Sequence, residues 1–329
     1  MNALLSLLLC PMLILVSALL SRRTSTLLRL SAVLMWVQMA VVLAVCVPRL
    51  GTHQTAPVVH GFRLDNTAAL FAMLTTLIVA AALTHAVGFF LRETASEHAP
   101  SNRDLRMFYL FAALFYLSMV AVVAADNLGY LWISVEATTL LSAPLVYHHR
   151  SRTSLEATWK YLIICSVGIA FAFLGTAIFY AASQRVGAGT TGSLSLAYLV
   201  KHARLYSHSM LRLGFVFTLL GYGTKAGLFP LHSWLPDAHS EAPAPASAML
   251  SGALLNCALV ALWRTCSLMA AAGESRFVQI TLLPMGAATV LAASLFLLKA
   301  VSNAKGKQPG KHGAGQNIHQ YSQFYNRRH

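Results

Sequence analysis

Long apolar stretches separated by short polar connections dominate the pattern of this 329-residue chain. Windows long enough to cross a bilayer occur at nine positions: 3–20, 30–47, 66–91, 107–125, 130–147, 157–182, 211–228, 244–265 and 277–298. These windows lack the strict alternation of apolar and polar residues that is typical of barrel strands, so they predict helices. The pattern therefore predicts an all-α, polytopic integral membrane protein with about nine transmembrane helices.

The seventh window is interrupted near its end. Gly221, Gly223, Gly227 and Pro230 surround Lys225 in this segment. Glycine and proline at this density favour a discontinuous helix, whose freed backbone groups can coordinate a proton or a chain of water molecules.

Two polar segments lie outside the windows. The longest interior connection, 183–212, predicts a short amphipathic surface helix in which Leu196, Leu199 and Val200 share one face. The last segment, 300–329, is basic and without periodicity, and its composition predicts disorder.

The composition supports a membrane protein and excludes several other classes. Hydrophobic residues make up 57% of the chain and charged residues only 10%. The net charge of +14 comes from basic residues spread over loops and the tail, so it indicates anchoring beside the membrane and not binding of nucleic acid. The five cysteines are scattered through apolar windows and predict packing, not a metal site: Cys10, Cys46, Cys165, Cys257 and Cys266.

The basic residues of the loops are divided evenly between the two sides of the membrane, so they do not determine the orientation of the chain. The basic residues of the tail favour an external N-terminus and a cytoplasmic tail.

Lys225 is the most informative residue. Helical rise places its ammonium group roughly 20 Å into a hydrocarbon layer about 30 Å thick. An ionisable side chain at this depth costs several kcal/mol and usually marks an ion path. We therefore interpret Lys225 as functional, with a purely structural lysine as the alternative.

Two further ionisable residues lie within windows. Glu136 is about 10 Å deep by helical rise, in the most polar stripe of any window. It is either functional or a structural carboxylate satisfied by neighbouring hydroxyl groups. Lys160 lies close to the start of its window, where it could equally extend to the interface beside Trp159 and Tyr161. Asp65 and Asp126 lie at the ends of windows, where we expect them to be solvated.

His232 and His239 flank Asp237 after the interruption, which raises the possibility of a metal site. Zinc needs three or four convergent ligands, and the i, i+4 histidine spacing typical of a helix is absent. We favour a proton-relay or loop-structuring role for these residues. Phosphate-binding loops, nucleophile elbows and cysteine clusters are also absent from the sequence, so we predict an ion conduit with neither a bound cofactor nor a metal.

Three blocks of this chain resemble a known family. They are Gly221-Tyr-Gly-Thr-Lys225-Ala-Gly-Leu-Phe-Pro230-Leu-His232-Ser-Trp-Leu-Pro236-Asp-Ala-His239, Trp132-Ile-Ser-Val-Glu136-Ala-Thr-Thr-Leu and Ala157-Thr-Trp-Lys160-Tyr. Together they resemble the proton-translocating, antiporter-like membrane subunits of respiratory complex I, group-4 hydrogenases and multisubunit cation/proton antiporters. Within that superfamily they look closest to hydrogenase-4 component F.

The resemblance implies roles for individual residues. Glu136 would match the family's glutamate on the fifth span, Lys160 the lysine on the sixth, and Lys225 the lysine on the broken seventh. His232 would lie beside that lysine in a hydrated half-channel. Some members carry a histidine on the eighth span where this chain has Ser251, so the resemblance does not supply a relay group there.

The resemblance also divides the chain. It implies N-terminal helices over 1–106, a first five-helix repeat over 107–266, the start of a second repeat over 267–299, and the tail. Because family members contain two complete repeats, we expect either a gene truncated or frameshifted near Lys299, which we favour, or a separate polypeptide that supplies the rest.

The function implied by the resemblance is that of a proton-translocating subunit in the inner membrane of a bacterial cell, with other membrane and peripheral subunits as partners. In this hypothesis Glu136 and Lys225 form a buried ion pair in one state, and Lys225 releases its proton when a neighbouring subunit draws Glu136 away. Electron transfer would take place elsewhere in the complex. The alternatives are a subunit of a cation/proton antiporter or of an inorganic-carbon uptake system, and an inactive fragment.

Overall fold

A computed structural model describes residues 2–20, 24–50, 58, 60–93, 101–184 and 193–306. The chain divides into two compact units, Met1–Leu282 and Leu283–His329. The first unit contains the helices that surround Lys225, and the second contains the remainder of the last helix. The prediction of disorder over 300–329 is wrong for its first residues, because the last helix continues to Gly306, and the rest of the tail, from 307 onward, lies outside the described residues.

The described residues form α-helices and no named strand, so the predicted all-α class is confirmed. A 3-10 turn at Ala203–Leu205 and a π-helical segment at Leu250–Leu254 interrupt the series. The helices are α1 (Asn2–Leu20), α2 (Thr24–Leu50), α3 (Asn66–Glu93), α4 (Asn102–Ala124), α5 (Leu128–Val146), α6 (Arg152–Gln184), α7 (Leu196–Lys201), α8 (His208–Ala226), α9 (Leu235–Glu241), α10 (Ala244–Met249), α11 (Leu255–Ala271) and α12 (Ser275–Gly306).

Each predicted window corresponds to a helix, but the predicted number of nine transmembrane helices is not confirmed. In the described part of the chain, six helical stretches are long and apolar enough to cross a membrane. The others are shorter or more polar, since α8 carries Lys225 and α5 carries Glu136. The six stretches are Thr26–Leu50, Asn66–Glu93, Asn102–Ala124, Arg152–Gln184, Ala244–Ala271 and Ser275–Leu298.

Small residues allow α6 and α8 to approach each other closely. Gly221 of α8 lies against Ala172 and Gly168 of α6, and an added Cβ would be 2.7 Å from the Gly168 carbonyl oxygen. Farther along, a Cβ on Gly175 would be 2.6 Å from the carbonyl oxygen of Gly214. Small residues at such contacts are typical of helix pairs in membranes, where close backbone approach drives association. This contact holds α6 against the end of α8 that carries Lys225.

The structure confirms the discontinuous helix near Lys225. Helix α8 ends at Gly227, whose φ of 73° is left-handed, and the Leu228 N–H donates to the Gly223 carbonyl oxygen at 2.9 Å. This bond is typical of a glycine-terminated helix. The Thr224 carbonyl oxygen accepts from the Gly227 N–H at 3.2 Å and from the indole of Trp234 at 2.9 Å. Backbone groups exposed by the break are therefore satisfied inside the protein, as membrane burial requires.

The chain resumes beyond the break in short pieces. Helix α9 is followed by α10, which begins after Pro243, and the π-helical segment joins α10 to α11. Single π-helical turns within a helix occur frequently at functional sites. The predicted surface helix is present as α7, with Leu196 and Leu199 buried on one face.

Candidate functional site

Lys225 is fully buried at the end of α8. Its Nζ donates to the hydroxyl of Thr139 on α5 at 3.0 Å and to the hydroxyl of Tyr161 on α6 at 2.6 Å. Its ammonium group also lies 4.5 Å from the ring centroid of Tyr161 and 5.7 Å from that of Trp234. Hydroxyl oxygens and aromatic faces thus stabilise a buried cation where water is excluded.

Tyr161 is itself held in place by a serine. Its hydroxyl lies 2.6 Å from the Ser142 hydroxyl, and Ser142 in turn donates to the Thr138 carbonyl oxygen at 2.7 Å. The Tyr161 ring also contacts the buried ring of Trp234, with centroids 5.0 Å apart. Three elements, α5, α6 and the segment after the break, therefore fix the surroundings of Lys225.

Glu136 lies one helical turn before Thr139 on α5 and is partly buried. Its Oε1 accepts a hydrogen bond from Ser166 of α6 at 2.8 Å, and its Oε2 accepts one from Thr139 at 3.5 Å. Because Thr139 also accepts from Lys225, one hydroxyl group connects the carboxylate to the ammonium. The two residues that the sequence singled out are brought together.

The contact between Glu136 and Lys225 is nevertheless indirect. Among the residues that the structure describes, no ion pair joins them, so the arrangement differs from the direct pair expected for one state. The physical reason is that Glu136 bonds to Ser166 while Lys225 bonds to Thr139 and Tyr161. The hydroxyl of Thr139 occupies the position between the two charged groups.

Lys160 lies in a different environment. Its side chain is 48% exposed, and its Nζ is 2.8 Å from Glu156 and 3.1 Å from Asp237 of α9. A second bond, from Thr153 to Glu241 at 2.9 Å, also ties the start of α6 to α9. These contacts surround a small pocket of about 190 Å³. The structure places Lys160 in this surface cluster, away from the hydroxyl groups that bind Lys225.

The two histidines of the motif lie on the segment after the break. His232 is partly buried, with its ring 5.6 Å from that of Phe229. The Nδ1 of His239 lies 3.3 Å from the Ser247 hydroxyl, and its ring stacks 6.4 Å from Trp234. In the described part of the chain, no group of three or more histidine, cysteine or acidic side chains is arranged to hold a metal ion.

Ser251 lies at the start of the π-helical segment and is exposed. Its hydroxyl donates to the Ser247 carbonyl oxygen at 2.9 Å, a bond within its own helical stretch. The position that carries a histidine in some members of the resembling family is therefore occupied here by a side chain that bonds locally.

Several partners of the two central residues could not be found from the sequence. Tyr161 directly follows Lys160, and its position there suggested only an interfacial aromatic residue. Ser166 and Trp234 carried no separate signal, since hydroxyl and aromatic residues are common in apolar helices. Only the packing of α5, α6 and α8 shows that their side chains converge on one place.

A second buried charged cluster joins the start of α3, the end of α4 and the interior of α11. Arg63 pairs with the fully buried carboxylate of Asp126 at 2.7 Å, and Arg264 lies 3.5 Å from Asp65. Arg264 also donates to the Val123 carbonyl oxygen at 2.7 Å. The expectation of a solvated aspartate was wrong for Asp126, which arginine neutralises instead, because burial of an unpaired carboxylate is costly.

Two acid–base groups outside the spans have shifted pKa values. The Arg212 guanidinium, together with His208, holds the pKa of Glu274 below its usual range. Burial, assisted by the neighbouring His149, lowers the pKa of His148 in the turn after α5 to about 4. Both groups lie outside the set of side chains that bond to Lys225 and Glu136, so we interpret their pKa shifts as effects on how the stability of the protein depends on pH.

Residues 125–303 match the family described as NADH:quinone oxidoreductase/Mrp antiporter, TM. The chain belongs to this family. The match includes Glu136, Lys160, Lys225 and His232, so all four predicted residues lie within the family domain. Together with the apolar helices, it identifies an integral membrane protein.

Several curated relatives are similar to this chain. A hydrogenase-4 component F homolog from Methylacidiphilum infernorum (isolate V4) is 38% identical over 239 residues, which are 72% of this chain and 50% of the relative. Hydrogenase-4 component B from Escherichia coli (strain K12) is 28% identical, over 72% of this chain and 33% of the relative. An Na⁺/H⁺ antiporter subunit from Alkalihalophilus pseudofirmus is 33% identical, over 64% of this chain and 23% of the relative. The chain thus spans half or less of the length of these relatives.

Two solved structures share the fold. A chain of the membrane-bound sulfane sulfur reductase, an archaeal respiratory membrane complex, superimposes with a TM-score of 0.70 at 20% identity, covering 86% of this chain and 56% of that one. A chain of respiratory complex I from Thermus thermophilus gives a TM-score of 0.62 at 21% identity, covering 80% of this chain and 52% of that one.

Proposed function

We propose that this chain is a proton-translocating membrane subunit of an NADH:quinone-oxidoreductase-like or group-4 hydrogenase complex. The observation that carries the proposal is the buried Lys225, connected through one hydroxyl group to Glu136 on a neighbouring helix. A buried base and a partly buried acid that share one hydroxyl group can exchange a proton where free ions cannot enter. The similarity to hydrogenase-4 components supports this kind of complex.

The chemistry of the site is proton transfer alone. Glu136 holds or releases a proton on its carboxylate, and Lys225 does so on its amine. The energy would come from electron transfer in other subunits, so an oxidoreductase name would describe the complex. Lys160 and His232 stay candidates for the relay on the strength of the family motif. We place the protein in a bacterial inner membrane, with membrane and peripheral subunits as partners.

The proposal is tested with the full chain in proteoliposomes. A potassium gradient with valinomycin imposes a membrane potential, and an enclosed pH-sensitive dye reports proton entry. We expect wild-type protein to carry protons, Glu136→Gln to lose at least about tenfold of that flux, and Glu93→Gln to retain it, because Glu93 lies at the end of α3 away from the site. Flux equal to that of empty liposomes, or an unchanged Glu136→Gln variant, would contradict the proposal.

A second candidate is exchange of Na⁺ for protons, which is favoured by the 33% identity to the antiporter subunit. The same proteoliposomes distinguish the two functions without an imposed potential. A sodium gradient that drives proton movement would support the antiporter, whereas a proton flux indifferent to sodium would support the first candidate.

A further inference from the structure

We propose that the hydroxyl group of Thr139 is the proton bridge between Lys225 and Glu136, and that Ser166 competes with it for the carboxylate. This inference rests on the proposed function and adds to it the atoms through which the proton passes. It also assigns Tyr161 a holding role instead of a conducting one. The three statements follow from the directions and lengths of the hydrogen bonds around Lys225.

The bonds through Thr139 have the directions that a relay needs. Lys225 donates to Thr139 Oγ1 at 3.0 Å, and Thr139 donates its own hydrogen to Glu136 Oε2 at 3.5 Å. In the transfer, an N–H bond of Lys225 breaks as an O–H bond forms on Thr139. The original O–H bond of Thr139 breaks as one forms on Glu136. Ammonium and carboxylate become neutral amine and carboxylic acid, and the hydroxyl is restored.

The second branch from Lys225 cannot conduct in the same way. Tyr161 accepts from Lys225 at 2.6 Å, which leaves the tyrosine hydrogen for Ser142 at 2.6 Å. Ser142 then donates to the backbone carbonyl oxygen of Thr138 at 2.7 Å. A backbone carbonyl accepts a hydrogen bond but has no hydrogen to pass on, so this chain of bonds ends there. The branch fixes the ammonium group in position.

The bridge is only partly closed in the structure. The bond from Thr139 to Glu136 is 3.5 Å long, at the limit for a hydrogen bond, whereas Ser166 holds the other carboxylate oxygen at 2.8 Å. Ser166 belongs to α6 and Thr139 to the same helix as Glu136. A carboxylate released by Ser166 is therefore free to approach Thr139 and complete the path. The two hydroxyl groups have opposite effects on transfer.

Four variants in the proteoliposome assay test this inference. Thr139→Val keeps the shape of the side chain and removes the hydroxyl, and we expect it to lower proton flux at least about tenfold. Thr139→Ser keeps the hydroxyl and removes the methyl group, and it should retain flux within about threefold. If Thr139 acted only through the packing of its methyl group, this variant would lose flux instead. Thr138→Val is the matched control, because its hydroxyl donates to the Val135 carbonyl oxygen on its own helix. Ser166→Ala should conduct protons faster than wild type, because the carboxylate then loses the competing donor.

Thermal unfolding in detergent checks that each variant folds, and Thr139→Ala replaces Thr139→Val if the valine is not tolerated. The bridge is refuted if Thr139→Val, or its alanine substitute, conducts like Thr138→Val. Competition by Ser166 is refuted if Ser166→Ala conducts no faster than wild type. These outcomes differ from failure of the proposed function, in which wild type and Glu136→Gln would already be indistinguishable.

Discussion

Two lysines from separate blocks of the family domain, Lys160 and Lys225, differ in their burial and in the charge of their partners. Lys225 is fully buried and bonded to two neutral hydroxyl groups, with two aromatic rings beside its charge. Lys160 is about half exposed and lies between two carboxylates. The described partners of the Lys225 amine are therefore neutral, whereas those of the Lys160 amine are two carboxylates.

Two lysines of the same family domain therefore need not have the same role. In the proposed function, Lys225 is the lysine that exchanges protons. Lys160 has the environment of a group that fastens two helices, since its partner Asp237 belongs to α9 and its own helix is α6. Substitutions that separate proton exchange from the fastening of helices test this contrast.

The largest effect is expected from Lys225→Met, which keeps an extended side chain and removes the ionisable amine. Proton flux in proteoliposomes should fall about 10²-fold or more, because the bridge through Thr139 then has no proton donor at its end. Lys160→Met should reduce flux far less. Equal losses for the two variants would show that the two environments do not divide the roles.

The next largest effect concerns the contact that places α6 beside Lys225. Gly221→Ala puts a methyl group against Ala172 and the Gly168 carbonyl oxygen, so we expect the free energy of unfolding to fall by about 1–3 kcal/mol. Gly88→Ala is the control, because nothing lies within 4 Å of an added Cβ there, and it should be neutral or slightly stabilising. Unfolding in mixed detergent micelles measures both, and equal stabilities would rule out the close contact.

A pH effect is expected from His148, which lies in the turn after α5. Its pKa is about 4 in the folded protein because of burial, below the ordinary value of 6.5. The unfolded chain therefore binds more protons between these values, and stability is lost as pH falls from about 6.5 toward 4. The ring of His148 contacts the rings of Phe90 and Phe108, so phenylalanine is a suitable replacement. His148→Phe should reduce the loss of unfolding free energy on acidification by about 1–3 kcal/mol.

Unfolding curves at neutral pH and between the two pKa values of His148 provide the measurement. His85→Phe is the comparison variant, because His85 is exposed and is not among the groups that shift the pKa of His148, and it should leave the acid sensitivity unchanged. If wild type and His148→Phe lost stability equally on acidification, burial of His148 would not contribute to the acid sensitivity.

The smallest effect is expected from Asp237→Asn. Lys160 keeps Glu156 as a partner, and exposed ion pairs contribute little because solvent screens them. We expect a slight fall in Tm in low salt that disappears in high salt, with proton flux nearly unchanged. A large loss of flux would instead give the surface cluster a direct part in proton movement.

Much of this protein could be predicted from its sequence. The apolar windows located the helices because a hydrocarbon layer admits only backbone that is bonded internally. The glycines and Pro230 predicted the break after Lys225, which Gly227 completes with its left-handed conformation. The depth of Lys225 predicted its burial, because a helix has a fixed rise per residue. The number of transmembrane helices could not be settled in this way, since polar residues shorten the apolar stretches of α5 and α8.

The candidate site, too, could be predicted only in part from the sequence. The sequence alone indicates which ionisable residues lie within the apolar windows, Glu136 and Lys225, because the cost of burial depends on residue type and depth. The tertiary structure adds that Thr139 stands between them, that Tyr161 and Ser166 hold them, and that Lys160 faces the surface. Those contacts join different helices, and their lengths depend on how closely α5, α6 and α8 pack. Helical periodicity fixes the direction of a side chain on its own helix and leaves its partner on the next one undetermined.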